Sequence, residues 1–337
     1  MLKVASAIAA CFLASVVAFA AKAEVQVVRI GETYGLTHLP SYVVEDLKLI
    51  EKHAAKRGIN GLKVSVNRVG NGNVVTDLLL SGNIDVAITG VIPFMVLWDK
   101  TRGPGKVRAI ASMSECNVFL FSTDPKISTL DDYSGTDRIA MTDVKTTTWA
   151  LLLQMAAAKK YGWDQRQKFE PLSVAMANGE ATAAMLSGKT EVKSHITMLP
   201  FSEVERSSRN IKTILSSRDI FGSRYSAAVA FSTEKFDSQN PNVAAAISDA
   251  FDEAMEFITG NPEEAAKIYN KHEPQKGGIE SIIKMMDPNG PDELQFRSGP
   301  AAFQVFADFM HKSGMLKTKA NSWKDFFFER AWSKSGS

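Results

Sequence analysis

Apolar and polar positions along this chain alternate between two periods. Val25 to Glu32 (VQVVRIGE) is a β-rich run, Pro40 to Arg57 carries helix formers up to Gly58, and Leu62 to Val69 (LKVSVNRV) alternates with the period of a strand. Val74 to Leu80 then reads as a helix stopped by Ser81-Gly82, and Ile84 to Thr89 (IDVAIT) as a short buried strand. The same βαβαβ pattern returns as strand Asp137 to Met141, helix Thr147 to Tyr161, strand Glu170 to Ala175, helix Gly179 to Leu186 and strand Glu191 to Ile196. Parallel strands joined by helical crossovers need both sheet faces covered, so each copy predicts an α/β lobe.

The two copies share residues as well as pattern. LSGNIDV (Leu80 to Val86) recurs as LSGKTEV (Leu186 to Val192), and an Asn-Gly pair, Asn71-Gly72 or Asn178-Gly179, stands 9 or 8 residues before the leucine. An Arg-Ile pair, Arg29-Ile30 or Arg138-Ile139, stands 42 or 40 residues before that asparagine. Three ordered matches at near-equal spacing indicate two copies of one unit. Gly82 and Gly188 are expected as helix C-caps with a left-handed backbone. On this reading, the Ser194-His195-Ile196 segment duplicates Ile88-Thr89-Gly90.

Two further stretches are long and β-rich enough to cross between lobes, Ile110 to Ser122 and, in return, Phe221 to Phe236. They predict a two-segment hinge, with lobe I at 24–112 and 229–337 and lobe II at 113–228. Helices are expected at Asn242 to Thr259, Glu263 to His272, Ile279 to Met286, Ala301 to Ser313 and Trp323 to Trp332, with Phe306, Phe309 and Met310 as core.

Composition narrows the function. Lys3, an apolar run from Val4 to Ala20 and the small-x-small site Ala21-Lys22-Ala23 read as a signal peptide over residues 1–23, so a periplasmic product is expected. Cleavage after Ala23 leaves 314 of the 337 residues, natural for two lobes of about 150 each. It also removes Lys3 and Lys22, leaving 37 basic residues against 37 acidic ones and no net field to draw nucleic acid. Cys116 is the one cysteine that survives, which rules out an intramolecular disulfide. The histidines, His38, His53, His195, His272 and His311, stand singly without metal-ligand spacing, and neither a metal nor another cofactor is expected.

RIGETYGLTHLP, GNGNVVTDLLLSGNIDVAITGVIPFM and DRIAMTDVKTTTWALLLQMAAAKKYG, behind a signal peptide, resemble the periplasmic substrate-binding subunits of ABC importers for nitrate, sulfonates, taurine and thiamine precursors. The resemblance covers the mature chain. It implies the type II periplasmic-binding fold, two α/β lobes joined by a two-segment hinge. It also implies a small, anionic organic or sulfonate- or nitrate-like ligand in the cleft, a permease partner, a monomeric protein and no catalysis. The clustered-cysteine motif of the thiamine-pyrimidine synthases in this superfamily is not in the sequence. The alternatives are an enzyme on this fold with Cys116 as its attachment point, or a secreted ligand sensor.

In open α/β sheets ligands bind beyond the carboxyl ends of the strands, which selects the candidate loops. Tyr34, Thr37 and His38 follow the first strand and open a helix. Asn71 and Gly72 follow the second, with amide groups that bond either polarity and a glycine that lets the backbone approach. Thr89 and Gly90 end the third. In lobe II, Lys145, Thr146, Thr147, Thr148 and Trp149 combine a cation, helix-capping hydroxyls and an aromatic face, and His195 is expected opposite Thr89. Arg224 and Tyr225 lie in the return crossover, where an arginine fork would clamp an oxyanion. The expected mechanism is hinge closure over the ligand.

Overall fold

A computed structural model describes residues 23–70, 72–145 and 147–337. The expected signal peptide, apart from Ala23, lies outside the described residues, as do Asn71 and Thr146.

The described residues form two five-stranded sheets. The first contains β1 (Val27–Glu32), β2 (Lys63–Arg68), β3 (Val86–Gly90), β4 (Val107–Cys116) and a late strand, β10 (Tyr225–Thr233), in the order β2-β1-β3-β10-β4. The second contains β5 (Phe119–Ser122), β6 (Ile139–Met141), β7 (Ser173–Ala175), β8 (Ser194–Thr197) and β9 (Lys212–Ser216), in the order β7-β6-β8-β5-β9. The parallel trios β2-β1-β3 and β7-β6-β8 are the duplicated unit. Each sheet is mixed rather than all-parallel, because β10 and β5 pair antiparallel with β3 and β8. The chain leaves the first sheet at Cys116 and returns at Tyr225, and the fourth strand of each sheet, β10 or β5, is the first one formed after a crossing.

The helices of lobe I are α1 (Leu39–Asp46), α2 (Leu49–Lys56), α3 (Gly72–Leu80) and α4 (Val91–Lys100). Pro40 to Arg57, expected as one helix, breaks into α1 and α2 at Lys48, whose φ of 51° is left-handed. Lobe II carries α5 (Thr148–Tyr161), α6 (Asn178–Ser187), α7 (Phe201–Arg206) and α8 (Ser217–Phe221).

The rest of the chain carries α9 (Glu234–Gln239), α10 (Pro241–Gly260), α11 (Pro262–His272), α12 (Gly278–Met285) and α13 (Phe303–Lys312). Along α10, Val243, Ile247, Ala250, Phe251 and Ala254 recur at helical spacing and are buried. Each large apolar side chain of this kind contributes roughly 1.5–3 kcal/mol by its burial. Trp323 to Trp332, expected as a helix, forms two 3-10 turns instead. Phe326, Phe327 and Phe328 are consecutive and all buried, a demand that no single helical face can meet.

The C-terminal segment touches both lobes in addition to the two covalent crossings. Asp292 accepts from Arg206 at 2.7 Å and from Ser202 at 2.5 Å in lobe II. Phe309 packs edge-on to Trp163 at 5.2 Å between ring centroids. In lobe I, Asp99 accepts the N–H groups of Lys317 and Thr318 at 2.9 and 2.8 Å.

Candidate functional site

The loops that follow the strand ends of both lobes meet around a cleft of about 380 Å³. From lobe I come Thr33 to Gly35, Thr37 and His38 after β1, Gly70, Gly72 and Asn73 after β2, and Gly90 with Pro93 at the start of α4. From lobe II come Thr142, Asp143 and Thr147 to Trp149 after β6, Asn178 after β7, and Met198 to Phe201 after β8. Tyr225 and Ala227 of β10 close the hinge side. The lobes approach closely here. A Cβ placed on Gly90 would come within 3.9 Å of Thr148 Oγ1 and 3.8 Å of the Ala227 carbonyl oxygen.

The first loop is held from beneath. Gly35, at a φ of 128° open to glycine, donates its N–H to Glu273 Oε1 at 2.9 Å. The same carboxylate accepts the hydroxyls of Tyr42 and Tyr269. His38 is buried, and its Nδ1 lies 2.7 Å from the Thr33 carbonyl, so Nδ1–H donates. Burial holds the His38 ring down at about 4, leaving it neutral with Nε2 as a bare acceptor. Below this loop, Glu32 is fully buried and pairs with Arg68 at 2.8 Å. Burial pushes its carboxyl up to about 7, with Arg68 pulling the other way.

In lobe II the three threonines divide their work. Thr147 caps α5, accepting the Ala150 N–H at 3.4 Å and donating to the Asp143 carbonyl at 2.7 Å. Thr148 faces Gly90. Trp149 is nearly buried and lines the wall.

Of the expected residues, Tyr34, Thr37, His38, Gly72, Gly90, Thr147, Thr148, Trp149 and Tyr225 line the cleft. Four others do not. Thr89 is fully buried and donates to the Gly90 carbonyl at 3.2 Å. Lys145 is exposed, its N–H bonded to Asp143 at 2.8 Å. His195 is fully buried behind Asn178. Arg224 spends its fork on Glu115 and Glu293, both at 3.3 Å, in a separate cavity. The arginine expected to clamp an oxyanion is therefore committed elsewhere.

Asn178 and Met198 to Phe201 were not among the expected ligand residues. Asn178 was visible as the counterpart of Asn71. The second set was hidden by a two-residue shift in the repeat. Thr89 and Thr197 each turn a hydroxyl to the next carbonyl, at 3.2 and 3.5 Å, so Thr197, and not His195, stands where Thr89 stands.

A family profile described as NMT1/THI5 like matches residues 8–265, well over half of the sequence. The chain belongs to the NMT1/THI5-like family. A search of curated proteins finds no match. Among solved structures, this family member is similar to the periplasmic nitrate-binding protein NrtA from Synechocystis PCC 6803, with 16% identity, a TM-score of 0.67, and coverage of 92% of this chain and 88% of that one. It is also similar to the periplasmic aliphatic sulphonate binding protein SsuA from Escherichia coli, with 16% identity, a TM-score of 0.66, and coverage of 91% and 93%. A sulfonate-binding SsuA from Methylobacillus flagellatus KT gives 19% identity, 0.65, and 91% and 92%. At such identities the likeness establishes the fold, the two-lobed architecture of periplasmic binding proteins.

Proposed function

We propose that this chain is an extracytoplasmic solute-binding protein that closes its lobes over a small organic oxyanion and delivers it to an ABC permease. The observation that carries the reading is the convergence of four helix N-termini, those of α3, α4, α5 and α6, on a cleft whose described lining contains no lysine or arginine. Free N–H groups and the aligned peptide dipoles favour an anion there without a cation to neutralise it. Thr142, Thr148 and Asn178 add neutral donors. Asp143, the acidic side chain among the described lining residues, is partly occupied by the Lys145 N–H.

The walls favour an organic anion over a bare inorganic one. Tyr34, Trp149, Phe201 and Tyr225 give apolar and aromatic surface, and the neutral His38 offers an acceptor to a ligand N–H or O–H. A functionalised sulfonate or carboxylate meets both demands. The nitrate- and sulfonate-binding proteins of like fold agree with an oxyanion.

Catalysis has no support at Cys116. Its thiol is fully buried at the end of β4, away from the cleft lining, and burial pushes its pKa far up. Among the described residues no helix is long and apolar enough to cross a membrane.

A thermal-shift series with nitrate, alkyl and aryl sulfonates, carboxylates and pyrimidines tests the ligand class. A true ligand at 100 times its Kd adds about 2.7 kcal/mol of stability. Shifts with neutral heterocycles alone would overturn the oxyanion reading. Loss of uptake of the same compound on deleting the gene tests delivery.

A further inference from the structure

Cys116 ends β4, and the chain crosses to lobe II through Asn117 and Val118 before Phe119 opens β5. Residues 292–298 run along the end of β4 as an added edge. Asn117 N–H donates to the Asp292 carbonyl at 2.9 Å, and Ser112 N–H donates to the Ser298 carbonyl at 3.1 Å. Between them, Glu115 and Gln295 exchange N–H···O bonds at 2.8 and 2.9 Å. Further on, Ala301 exchanges bonds with Ser226 of β10 at 2.9 and 3.1 Å. This strap is anchored in the first sheet and begins beside the crossing itself.

At its start the strap reaches into lobe II. In extended backbone successive side chains point to opposite sides, so Asp292 and Glu293 would not both face one lobe. Glu293 breaks the alternation with a φ of 48°, left-handed and uncommon for a residue with a Cβ. Both carboxylates then bind lobe II. Asp292, nearly fully buried, accepts from Ser202 and Arg206 at the two ends of α7. Arg206 is stacked 4.5 Å over Phe119, the first residue of β5. Glu293 accepts from Arg218 of α8 and, at 3.3 Å, from Arg224 at the return crossing. A left-handed residue of this kind persists where its surroundings over-determine it.

The two ties lie on different sides of the crossings. Ser202 follows Phe201, which lines the cleft, whereas Arg218, Arg224 and Glu293 line a separate cavity. Two crossing strands can bend together, and ties on different sides of them resist that rotation. Pulling Arg206 from Asp292 would leave a buried carboxylate without its counter-charge, which is costly.

We propose that Asp292 and Glu293 form a noncovalent interlobe clasp that holds the lobes near their apposed arrangement before ligand arrives and thereby sets ligand affinity. Apparent affinity scales with the fraction of molecules in the binding-competent arrangement, and the clasp keeps that fraction high. Neither residue is among those that line the cleft, so both act on the ligand through the hinge. The effect on affinity rests on the oxyanion reading above; the clasp itself does not.

Two variants test it. Asp292→Asn keeps the shape of the side chain and removes its charge. Glu293→Gly removes the other carboxylate at a half-buried position and suits the left-handed backbone, so it decides the matter if the buried change at Asp292 prevents folding. In small-angle X-ray scattering of the ligand-free protein, each folded variant should have a larger radius of gyration than the wild type. An unchanged or smaller radius, even with a lowered melting temperature, would mark a purely structural pair and overturn the clasp. In calorimetric titration with ethanesulfonate, each variant should bind about fivefold more weakly. Unchanged or tighter binding would overturn the link to affinity. If the wild type binds no ethanesulfonate, the oxyanion reading fails and the scattering alone decides the clasp.

Discussion

Gly35 N–H and the Glu273 carboxylate meet at 2.9 Å and tie the first loop of the cleft to the residue that ends α11. Two tyrosine hydroxyls, from Tyr42 and Tyr269, share that carboxylate. Hydrogen bonds to a charged acceptor contribute roughly 1.5–3 kcal/mol each, less than additively when they share one group. Glu273→Ala should therefore lower stability by about 3 kcal/mol in urea unfolding and weaken ligand binding through the loosened loop. Binding unchanged in a folded variant would show that the loop needs no such anchor.

Thr147 and Thr148 are neighbours with separable roles. Thr147→Ala removes a helix cap and should cost about 1 kcal/mol in stability. Thr148→Ala should leave the melting temperature within a degree or so while weakening the ligand several-fold, because its hydroxyl faces Gly90 and not its own helix. Isothermal titration together with thermal melts separates the two. Equal effects of both changes on stability would refute the division.

Gly90 has room for a Cβ. Its backbone (φ −60°, ψ 155°) suits any residue, and a Cβ there would make only ordinary contacts at 3.8–3.9 Å. Gly90→Leu should fold normally and lose ligand binding by at least about tenfold, since the extra atoms enter the space between the lobes. Gly90→Ala should bind nearly as the wild type does. Binding retained by the leucine variant would place the ligand elsewhere.

Glu32 and His38 give the stability a pH dependence with opposing signs. Glu32 is raised from 4.5 to about 7, so it binds a proton in the folded state where the unfolded chain does not. Its contribution is full below about pH 4.5 and is lost as pH rises toward 7. His38, lowered from 6.5 to about 4, makes the folded state lose stability as pH falls through that range. The two nearly cancel in the wild type, and Glu32→Gln separates them. Relative to wild type, this variant should gain on the order of 2–3 kcal/mol between pH 4.5 and pH 8 in denaturant titrations. A difference independent of pH would show that Glu32 does not titrate in this window.

Local pattern carried much of the architecture. The two βαβαβ units follow from alternation, caps and the repeated LSG and Asn-Gly pairs, because each depends on neighbours within a few positions. The same rules failed where distant residues decide. Lys48 breaks a continuous helical pattern so that α1 and α2 can both pack on α10, and the aromatic run at Phe326 to Phe328 is buried on several sides and cannot stay helical.

By itself, then, the sequence determined two α/β lobes, because alternation and helical crossovers are local patterns, and it pointed to the loops at the carboxyl ends of their strands as candidates. Tertiary structure alone decided which side chains on those loops reach the cleft. Arg224 carries the right chemistry but is drawn to Glu115 and Glu293, partners far away in the chain, and His195 turns inward to Glu205 on the helix that follows its strand. A buried or half-buried charge goes where its counter-charge lies, and a sequence does not display that position.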